Sequence, residues 1–571
     1  MKKQLIILFV ASIFSACHTS DKSGKLPFDP FNYSITKRTE TSNGAVASAH
    51  PLASKVGVEI LRQGGNAVDA AIAMQLALAV VYPQAGNIGG GGFMVARLGD
   101  GQLVAIDYRE AAPGKAHRDM YIDSAGKPRT DLSQDGHLAS GVPGTVAGLF
   151  ESAKYGRLPF KKLIAPAIIL AEKGFKITAR EAAGLNRLQR DLHQYNTQMP
   201  VFVKEEKWKE GDILIQKDLA ATLKRIRDKG AAGFYEGKTA QLIVEEMQRG
   251  RGIITYEDLK NYKAKSRQPH IFNYKGYEIV GMPMPSSGGL LVNQMMKMIE
   301  GRNIGAMGFQ TPQSVQLMIE AERRAYADRA KFMGDADFYK VPVAELTADK
   351  YLADRMKDYS PDHAGSSRIT EPGMIGGYES PQTTHLSVLD KDGNAVSVTT
   401  TLNNSYGSRT VVGGAGFFMN DEMDDFSIKP GVPNMYGAIG GEANAIAPGK
   451  RMLSSMTPTL VLKDKKPFLV LGTPGGTTIP TSVFQTLVNI LEFNLSATDA
   501  VDKPKFHHQW LPDEVNIELG FQPRTADTLR AMGYKLVPSS AIGRMEVIRV
   551  LPNGKIEAVA DRRGDDTAEG F

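Results

Sequence analysis

The chain of 571 residues predicts an α+β fold. Apolar residues recur at helical spacing through the middle, from about residue 145 to 350. Short β-branched runs joined by tight turns gather after residue 383. These runs give the helices and strands; their arrangement in layers is implied by a resemblance described below. A hairpin between Ser380 and Ser405 supplies the third observation, because its register can be worked out residue by residue.

The N-terminus reads first. "MKKQLIILFVASIFSAC" has a basic start, an apolar run from Leu5 to Phe14 and small residues before Cys17. That is a secretory signal over residues 1–17, too short for a membrane span. "FSAC" resembles a bacterial lipoprotein cleavage box, with Phe14 where Leu is commoner. Cys17 is the single cysteine of the chain. It is the expected lipidation site, although a plain signal with an incidental cysteine is the simpler alternative. Residues 18–40 are polar and read as a tether. One cysteine leaves no intrachain disulfide, so an exported fold rests on its core. No later stretch is long and apolar enough for a transmembrane helix. The 68 basic and 62 acidic residues leave a net charge of only +6 with no basic block, which argues against a nucleic-acid partner.

Next, a helix is expected around Pro51 to Gln63, ending at Gly64-Gly65. An Ala-rich helix follows Asn66 and ends before Pro83. The run Gly86 to Gly92 leads into the strand "FMVARL". For Gly89 to Gly92 a phosphate loop is the weaker reading. They lack the Gly-Lys-Ser/Thr ending and precede a strand, so close backbone packing is the expectation. "KKLIAPAIILAEKG" and "TPQSVQLMIEAERRAYADRAKFMG" are helices by periodicity. On the second, Glu320, Glu322, Arg323, Arg324 and Asp328 read as a salt-bridged face. Residues 357–382 are rich in Ser, Gly and Pro and read as a long loop. Beyond the hairpin come strands in "TPTLVLKDKKPFLVLGTPGG", a helix in "TTIPTSVFQTLVNILEF" and a short α/β tail.

In the hairpin, Lys391-Asp392-Gly393 forms a three-residue turn with Gly393 in the left-handed position. Asp390 then faces Asn394, Val388 meets Val396 and Leu386 meets Val398, so apolar pairs share a face. Continued outward, Thr383 meets Thr401, with Asn403 one pleat beyond. A threonine hydroxyl needs a base beside it to act as a nucleophile. A threonine that begins a chain carries one, because its own α-amine has a pKa of about 8. Here that requires cleavage of Gln382-Thr383, at the end of the long loop. Ordinary strand threonines are the alternative.

"TTHLSVLDKDGNAVSVTTTLN", "MDDFSIKPGVPNMYG", "RMLSSMTPTLVL", "GTPGG" and "FHHQWLPDE" resemble, in order and spacing, the γ-glutamyltransferase (γ-glutamyltranspeptidase) family. "GGNAVDAAIA", "GNIGGGGFM", "DYREAAP", "SGVPGTVAG" and "MPMPSSGG" extend the resemblance over nearly all of the chain after the tether. It implies an N-terminal-nucleophile hydrolase with a four-layer αββα sandwich, made as one precursor that cuts itself. The large piece would cover 41–382 after the tether, and the small piece 383–571, the two remaining together as a heterodimer. By resemblance Thr383 is the nucleophile and Thr401 supports it. Arg109 would pair with the α-carboxylate of the glutamyl group, helped by Ser454 and Ser455. Glu422, Asp425 and Asn403 would take the α-ammonium. Gly475 and Gly476 would offer backbone N–H groups to the oxyanion, and Tyr436 would sit on a lid.

The implied reaction passes a γ-glutamyl group from glutathione or a related compound to Thr383, then to water or to an amino acid or peptide. It needs no metal or organic cofactor. The implied setting is exported and bacterial, periplasmic or lipid-anchored. Taken singly, Arg109 could be a surface ion pair, Ser454-Ser455 a turn and Gly475-Gly476 a strand end. His507 and His508, adjacent on a strand, point different ways and read as structural. Two rivals stand beside this reading. One is a related cephalosporin or glutaryl acylase, whose substrate has no α-ammonium for "MDDF" to bind. The other is a catalytically silent lipoprotein that binds γ-glutamyl peptides.

Overall fold

Two seven-stranded antiparallel sheets face each other across a core of small and branched apolar residues. The computed structural model describes residues 26–370, 383–429 and 441–571. Cys17, Gln382 and Tyr436 lie outside the described residues.

The first sheet runs in the order Arg38–Thr41, Ile556–Ala560, Glu546–Val550, Lys466–Gly472, Thr459–Lys463, Tyr277–Gly281 and His270–Tyr274. The second runs Thr567–Gly570, Gly44–Ser48, Thr384–Asp390, Ala395–Thr401, Gly91–Arg97, Leu103–Asp107 and Lys265–Arg267. Strand alternation sorts the side chains. Leu389 and Ala395 join Val280, Leu460 and Val470 between the sheets. Leu386, Val388, Val396 and Val398 face the other way, onto the N-terminal helices. Val461, Leu469 and Val547 turn outward from the first sheet onto helices Gly288–Glu300, Pro312–Phe332 and Thr478–Leu491. The result is the αββα layering expected above.

The N-terminal helices form where expected, at Pro51–Arg62 and Ala67–Val81. Every residue of the second is buried, which fits a helix apolar on all sides. Asn66 and Asp69 close a capping box at its start. The glycine run serves close packing. A Cβ at Gly90 would stand 2.1 Å from the Thr401 carbonyl oxygen, and one at Gly92 2.5 Å from that of Thr399.

Three expectations are refined. The middle segment is mostly helical, as expected, with strands at Lys265–Arg267, His270–Tyr274 and Tyr277–Gly281. The turn Lys275-Gly276, with φ of 43° and 85°, carries the hairpin signal that helical periodicity obscured. The charged residues of helix Pro312–Phe332 are salt-bridged as expected, but all five are buried. Arg324 donates to Glu320 at 2.5 Å, and Arg355 lies 3.2 Å from Asp328. Glu322 instead accepts from the His508 amide at 2.9 Å, and burial pushes its carboxyl well above the usual range. Third, the described part of the tether is docked. Leu26, Phe28 and Tyr33 pack on the core, and Arg38–Thr41 pairs with Ile556–Ala560.

His507 and His508 are buried and hydrogen-bonded inside the fold. His507 contacts Thr481 at 2.8 Å and Gln509 at 2.9 Å, and His508 accepts from the Trp510 amide. Burial lowers both rings to about 4. The loop after helix Asp349–Arg355 is pinned as far as Thr370. Trp510 Nε1 donates to the Ser367 and Thr370 carbonyls, and the Ser367 amide donates to Asp513.

Candidate active site

The hairpin register is the one the turn implies: Thr384 pairs with Thr400, Leu386 with Val398 and Val388 with Val396. Gly393 has a φ of 77°. One step outward, Thr383 Oγ1 donates to Thr401 Oγ1 at 3.4 Å, with both side chains buried. Thr401 Oγ1 also accepts from the Asn403 amide at 2.8 Å. The other threonines differ. Thr399 Oγ1 contacts His385 Nδ1 at 2.9 Å, and Thr400 Oγ1 donates to the Gly91 carbonyl at 2.7 Å. Thr384 points to the opposite face of the sheet from Thr383.

Asn87, from the glycine-rich segment, fixes the end of this hairpin. Its Nδ2 donates to the Thr401 carbonyl at 2.9 Å, while its Oδ1 accepts from Thr145 Oγ1 and the Gly90 amide. The sequence reading missed it, because only the glycines of "GNIGGGG" drew notice.

The facing sheet brings up the second component. Strand Lys466–Gly472 ends against His385, and a Cβ at Gly472 would fall 2.3 Å from that ring. Only glycine permits this approach, which lets Thr473-Pro474-Gly475-Gly476 come up beside the hairpin. Gly475 and Gly476 have φ of 143° and 56°. The Gly475 carbonyl is taken by the Thr478 amide and hydroxyl at 3.1 and 2.7 Å, and that of Gly476 by the Ile479 amide. A cavity of about 480 Å³ opens here, lined by Thr383, Pro474 and Gly475 together with Tyr82, Gln84 and Arg544.

The charged component is buried next to the 3₁₀ turn Glu422–Asp425. Arg109 is ion-paired with both Glu422 and Asp425 and donates to the Met452 and Leu453 carbonyls at 3.3 Å. It is not a surface ion pair: the residue is 1% exposed. Glu110 lies 3.5 Å from the same guanidinium. Burial alone would pull Arg109 down, but Glu422, Asp425 and Glu110 hold it above the usual arginine range. Burial pushes Glu422 well above the carboxylate range and Glu110 up to about 8, with Arg109 opposing both shifts. Arg109 thus meets three carboxyl groups, and burial favours the neutral form of two of them, Glu110 and Glu422.

Asp421 ties the two components together. Its carbonyl accepts from Asn403 Nδ2 at 3.1 Å, and its carboxylate accepts from the Asn404 amide at 2.9 Å and from Asn404 Nδ2 at 2.6 Å. Ser454 follows Leu453, and its Oγ accepts from the Met456 amide at 3.2 Å. Ser455 Oγ accepts from Arg329 Nη2 at 2.9 Å. The structure thus groups Thr383, Thr401, Asn403 and Gly475, and separately Arg109, Glu422, Asp425 and Ser454. Asp421, Asn87, Glu110 and Arg329 escaped the sequence reading. Of these, Asp421 and Glu110 directly adjoin motif residues and were the findable ones.

Known proteins resemble this chain closely. The family model described as Gamma-glutamyltranspeptidase matches residues 53–571. The glutathione hydrolase proenzyme of Escherichia coli K12 is 46% identical over 553 residues, covering 95% of each chain. A cephalosporin acylase structure from Bacillus halodurans superposes with a TM-score of 0.83 at 26% identity, covering 96% of this chain and 98% of that one. The structure of Helicobacter pylori gamma-glutamyltranspeptidase is 45% identical with a TM-score of 0.56, covering 57% of this chain and 95% of that one.

Proposed function

The chain belongs to the gamma-glutamyltranspeptidase family, and from that premise we propose that it is a self-cleaving glutathione hydrolase and γ-glutamyltransferase with Thr383 as nucleophile. The observation that carries this reading is the meeting of Thr383 with Thr401 at the hairpin mouth, on a cavity shared with Gly475.

Cleavage of Gln382-Thr383 frees an α-amine on the residue whose hydroxyl already lies 3.4 Å from Thr401. In the transfer reaction, Thr383 Oγ forms a bond to the γ-carbonyl carbon of the donor. Its proton passes to the α-amine, directly or through water, and then to the departing amine. The bond from carbonyl carbon to nitrogen breaks, and the γ-glutamyl ester remains. Thr401 orients the nucleophile. Gly475 and Gly476 present N–H groups to the oxyanion, since their carbonyls are committed to the helix start. Water, an amino acid or a peptide then attacks the ester, and the proton returns to Thr383 Oγ.

Recognition of the glutamyl head follows from the charged group. Arg109 and the hydroxyls of Ser454 and Ser455 take the α-carboxylate. Asp425, Glu422 and Asn403 take the α-ammonium. The acidic cluster favours a γ-glutamyl donor over a glutaryl one, because only the former brings a positive charge. In the cell, the signal at residues 1–17 exports the chain, and lipidation of Cys17 anchors it to a bacterial membrane surface. No described helix is long and apolar enough to cross a membrane.

The test is a denaturing gel with N-terminal sequencing and an activity assay. The expected result is a fragment that begins at Thr383 and ends at Phe571, together with hydrolysis of a γ-glutamyl anilide. A Thr383→Ala protein should stay uncut and inactive. An uncut wild-type chain, or a Thr383→Ala chain that still splits, would refute it.

A further inference from the structure

The two amides assigned to the oxyanion belong to peptide units whose other ends point elsewhere. The Gly475 N–H shares a rigid plane with the Pro474 carbonyl, and the Gly476 N–H shares one with the Gly475 carbonyl. Both units are trans, so each N–H points away from its carbonyl. Whatever holds the carbonyl therefore aims the N–H.

Two threonine hydroxyls hold these carbonyls. Thr473 is fully buried. Its Oγ1 accepts from the Arg544 amide at 2.6 Å and donates to the Pro474 carbonyl at 2.7 Å. The partners fix these roles. An amide N–H can only donate and a carbonyl can only accept, so the single hydroxyl proton goes to Pro474. Thr478 Oγ1 donates to the Gly475 carbonyl at 2.7 Å, beside the Thr478 amide at 3.1 Å. The next two carbonyls are engaged as well, that of Gly476 by the Ile479 amide and that of Thr477 by the Tyr326 hydroxyl. Among the described residues, neither the Gly475 nor the Gly476 amide donates to a protein group. Gly475 borders the cavity that Thr383 also lines. Another glycine permits the arrangement. A Cβ at Gly543 would stand 3.0 Å from Thr473 Oγ1 and 2.7 Å from Ser482 Oγ, and its φ is 71°. Glycine there lets the following amide, that of Arg544, reach the hydroxyl.

We infer that Thr473, with Thr478 beside it, is a positioning residue for the oxyanion site. Its hydroxyl holds the Pro474-Gly475 peptide with the N–H turned toward the cavity. Neither threonine touches substrate. Without the Thr473 hydroxyl the Pro474 carbonyl loses its partner, and the peptide is free to rotate toward another, carrying the N–H off the oxyanion. The hydroxyl also polarises the amide, which strengthens the N–H as a donor. Donors set before the reaction cost no reorganisation during it. This inference rests on the reading of Thr383 as nucleophile and of the glycine amides as oxyanion donors, and it adds what aims those donors.

The experiment uses the full-length, self-cleaved protein with a γ-glutamyl anilide as substrate and two inhibitors. Glutamate reports binding of the ground state. A boronate analogue of glutamate, which becomes tetrahedral on Thr383 Oγ, reports the oxyanion. Thr473→Val keeps the volume and loses the hydroxyl. Loss of a whole oxyanion donor costs about 10²–10³ in kcat, so loss of its support should lower kcat/KM and weaken the boronate in parallel, by about tenfold to 100-fold. Inhibition by glutamate should not change. Thr473→Ser, which keeps the hydroxyl, should restore both values. Thr478→Val leaves the Thr478 amide on the Gly475 carbonyl and should show the same selective loss at smaller size. Wild-type boronate affinity in Thr473→Val, or equal weakening of boronate and glutamate, overturns the inference. If Thr473→Val stays uncut, the same comparison on Thr478→Val decides, and an equal or absent effect there overturns it. A wild-type protein that neither cuts itself nor releases the arylamine would instead refute the underlying function, so the two failures are told apart.

Discussion

Replacing Asp425 by Asn removes one negative charge from the buried group around Arg109 while keeping its shape. Asp425 and Glu422 both pair with Arg109, but they are not equivalent. Glu422 is fully buried, and its carboxyl is driven well above the usual range by burial. Near neutral pH it is the acid a neutral amide replaces most easily, so Glu422→Gln should change kcat/KM for a γ-glutamyl anilide by less than about threefold. Asp425 is the charge left to meet an ammonium. A hydrogen bond to a charged partner contributes about 1.5–3 kcal/mol. Asp425→Asn should therefore lower kcat/KM for the γ-glutamyl anilide by about tenfold to 150-fold. A glutaryl anilide, identical but for the missing ammonium, should lose far less. Both substrates are assayed on one preparation, so damage to Arg109 or to folding cancels in their ratio. If Asp425→Asn leaves the γ-glutamyl to glutaryl ratio at its wild-type value, the acidic cluster does not recognise the ammonium and the argument from charge is wrong.

Other outcomes follow from single contacts. Thr401→Val keeps the shape but loses the hydroxyl that faces Thr383 and accepts from the Asn403 amide, so kcat should fall about tenfold or more with KM little changed. Steady-state kinetics on the cut enzyme would show it, and equal losses in binding would count against a role in the chemistry. Gly472→Ala forces a methyl group against the His385 ring and should destabilise by about 1–3 kcal/mol, read from denaturant unfolding. An unchanged midpoint would mean that the strand end moves freely. His507 has its pKa lowered from the usual 6.5 to about 4 by burial, so the unfolded chain takes up its proton first. The stability it contributes is complete above pH 6.5 and is lost as pH falls toward 4, at about 1.4 kcal/mol per pH unit. His507→Gln should reduce the slope of stability against pH in that window by this amount, and an unaltered slope would refute the assignment.

The hairpin could be read to the residue because a three-residue turn with glycine last leaves one register that pairs apolar with apolar. That arithmetic put Thr401 across from Thr383 without any family. The helices at Pro51 and Asn66 were legible for a similar local reason, with proline or a capping box at the start and glycine or proline at the end. What escaped notice depends on chain segments far apart in sequence. Glu320 to Asp328 could be read as a salt-bridged face, but their burial could not, because helical spacing says nothing of what packs on the helix. Only the fold shows that the strap near Ser367 and the segment around His508 cover it. Asn87 was hidden for the opposite reason, since its neighbours' glycines have an obvious conformational meaning and its own amide reaches across to residue 401. Of the site, residue types and order within motifs were readable. The approach of Gly475 to Thr383 was not, because it depends on strand Lys466–Gly472 of one sheet ending against His385 of the other.

The order of strands has a consequence for how such an enzyme can be made. A cut before Thr383 assigns Arg38–Thr41, Tyr277–Gly281 and His270–Tyr274 of the first sheet to one piece and the four strands between to the other. In the second sheet, Gly44–Ser48 of the large piece sits between Thr567–Gly570 and Thr384–Asp390 of the small one. The pieces are interleaved, so neither keeps a complete sheet when alone, and each would expose unpaired strand edges. Dilution should not separate them, and activity per molecule should not depend on enzyme concentration. Nor should the halves, synthesised from two separate genes, readily find each other before those edges aggregate. The peptide bond that must be lost for catalysis is therefore needed first as a folding tether: continuity during synthesis and discontinuity afterward are successive requirements on one linkage.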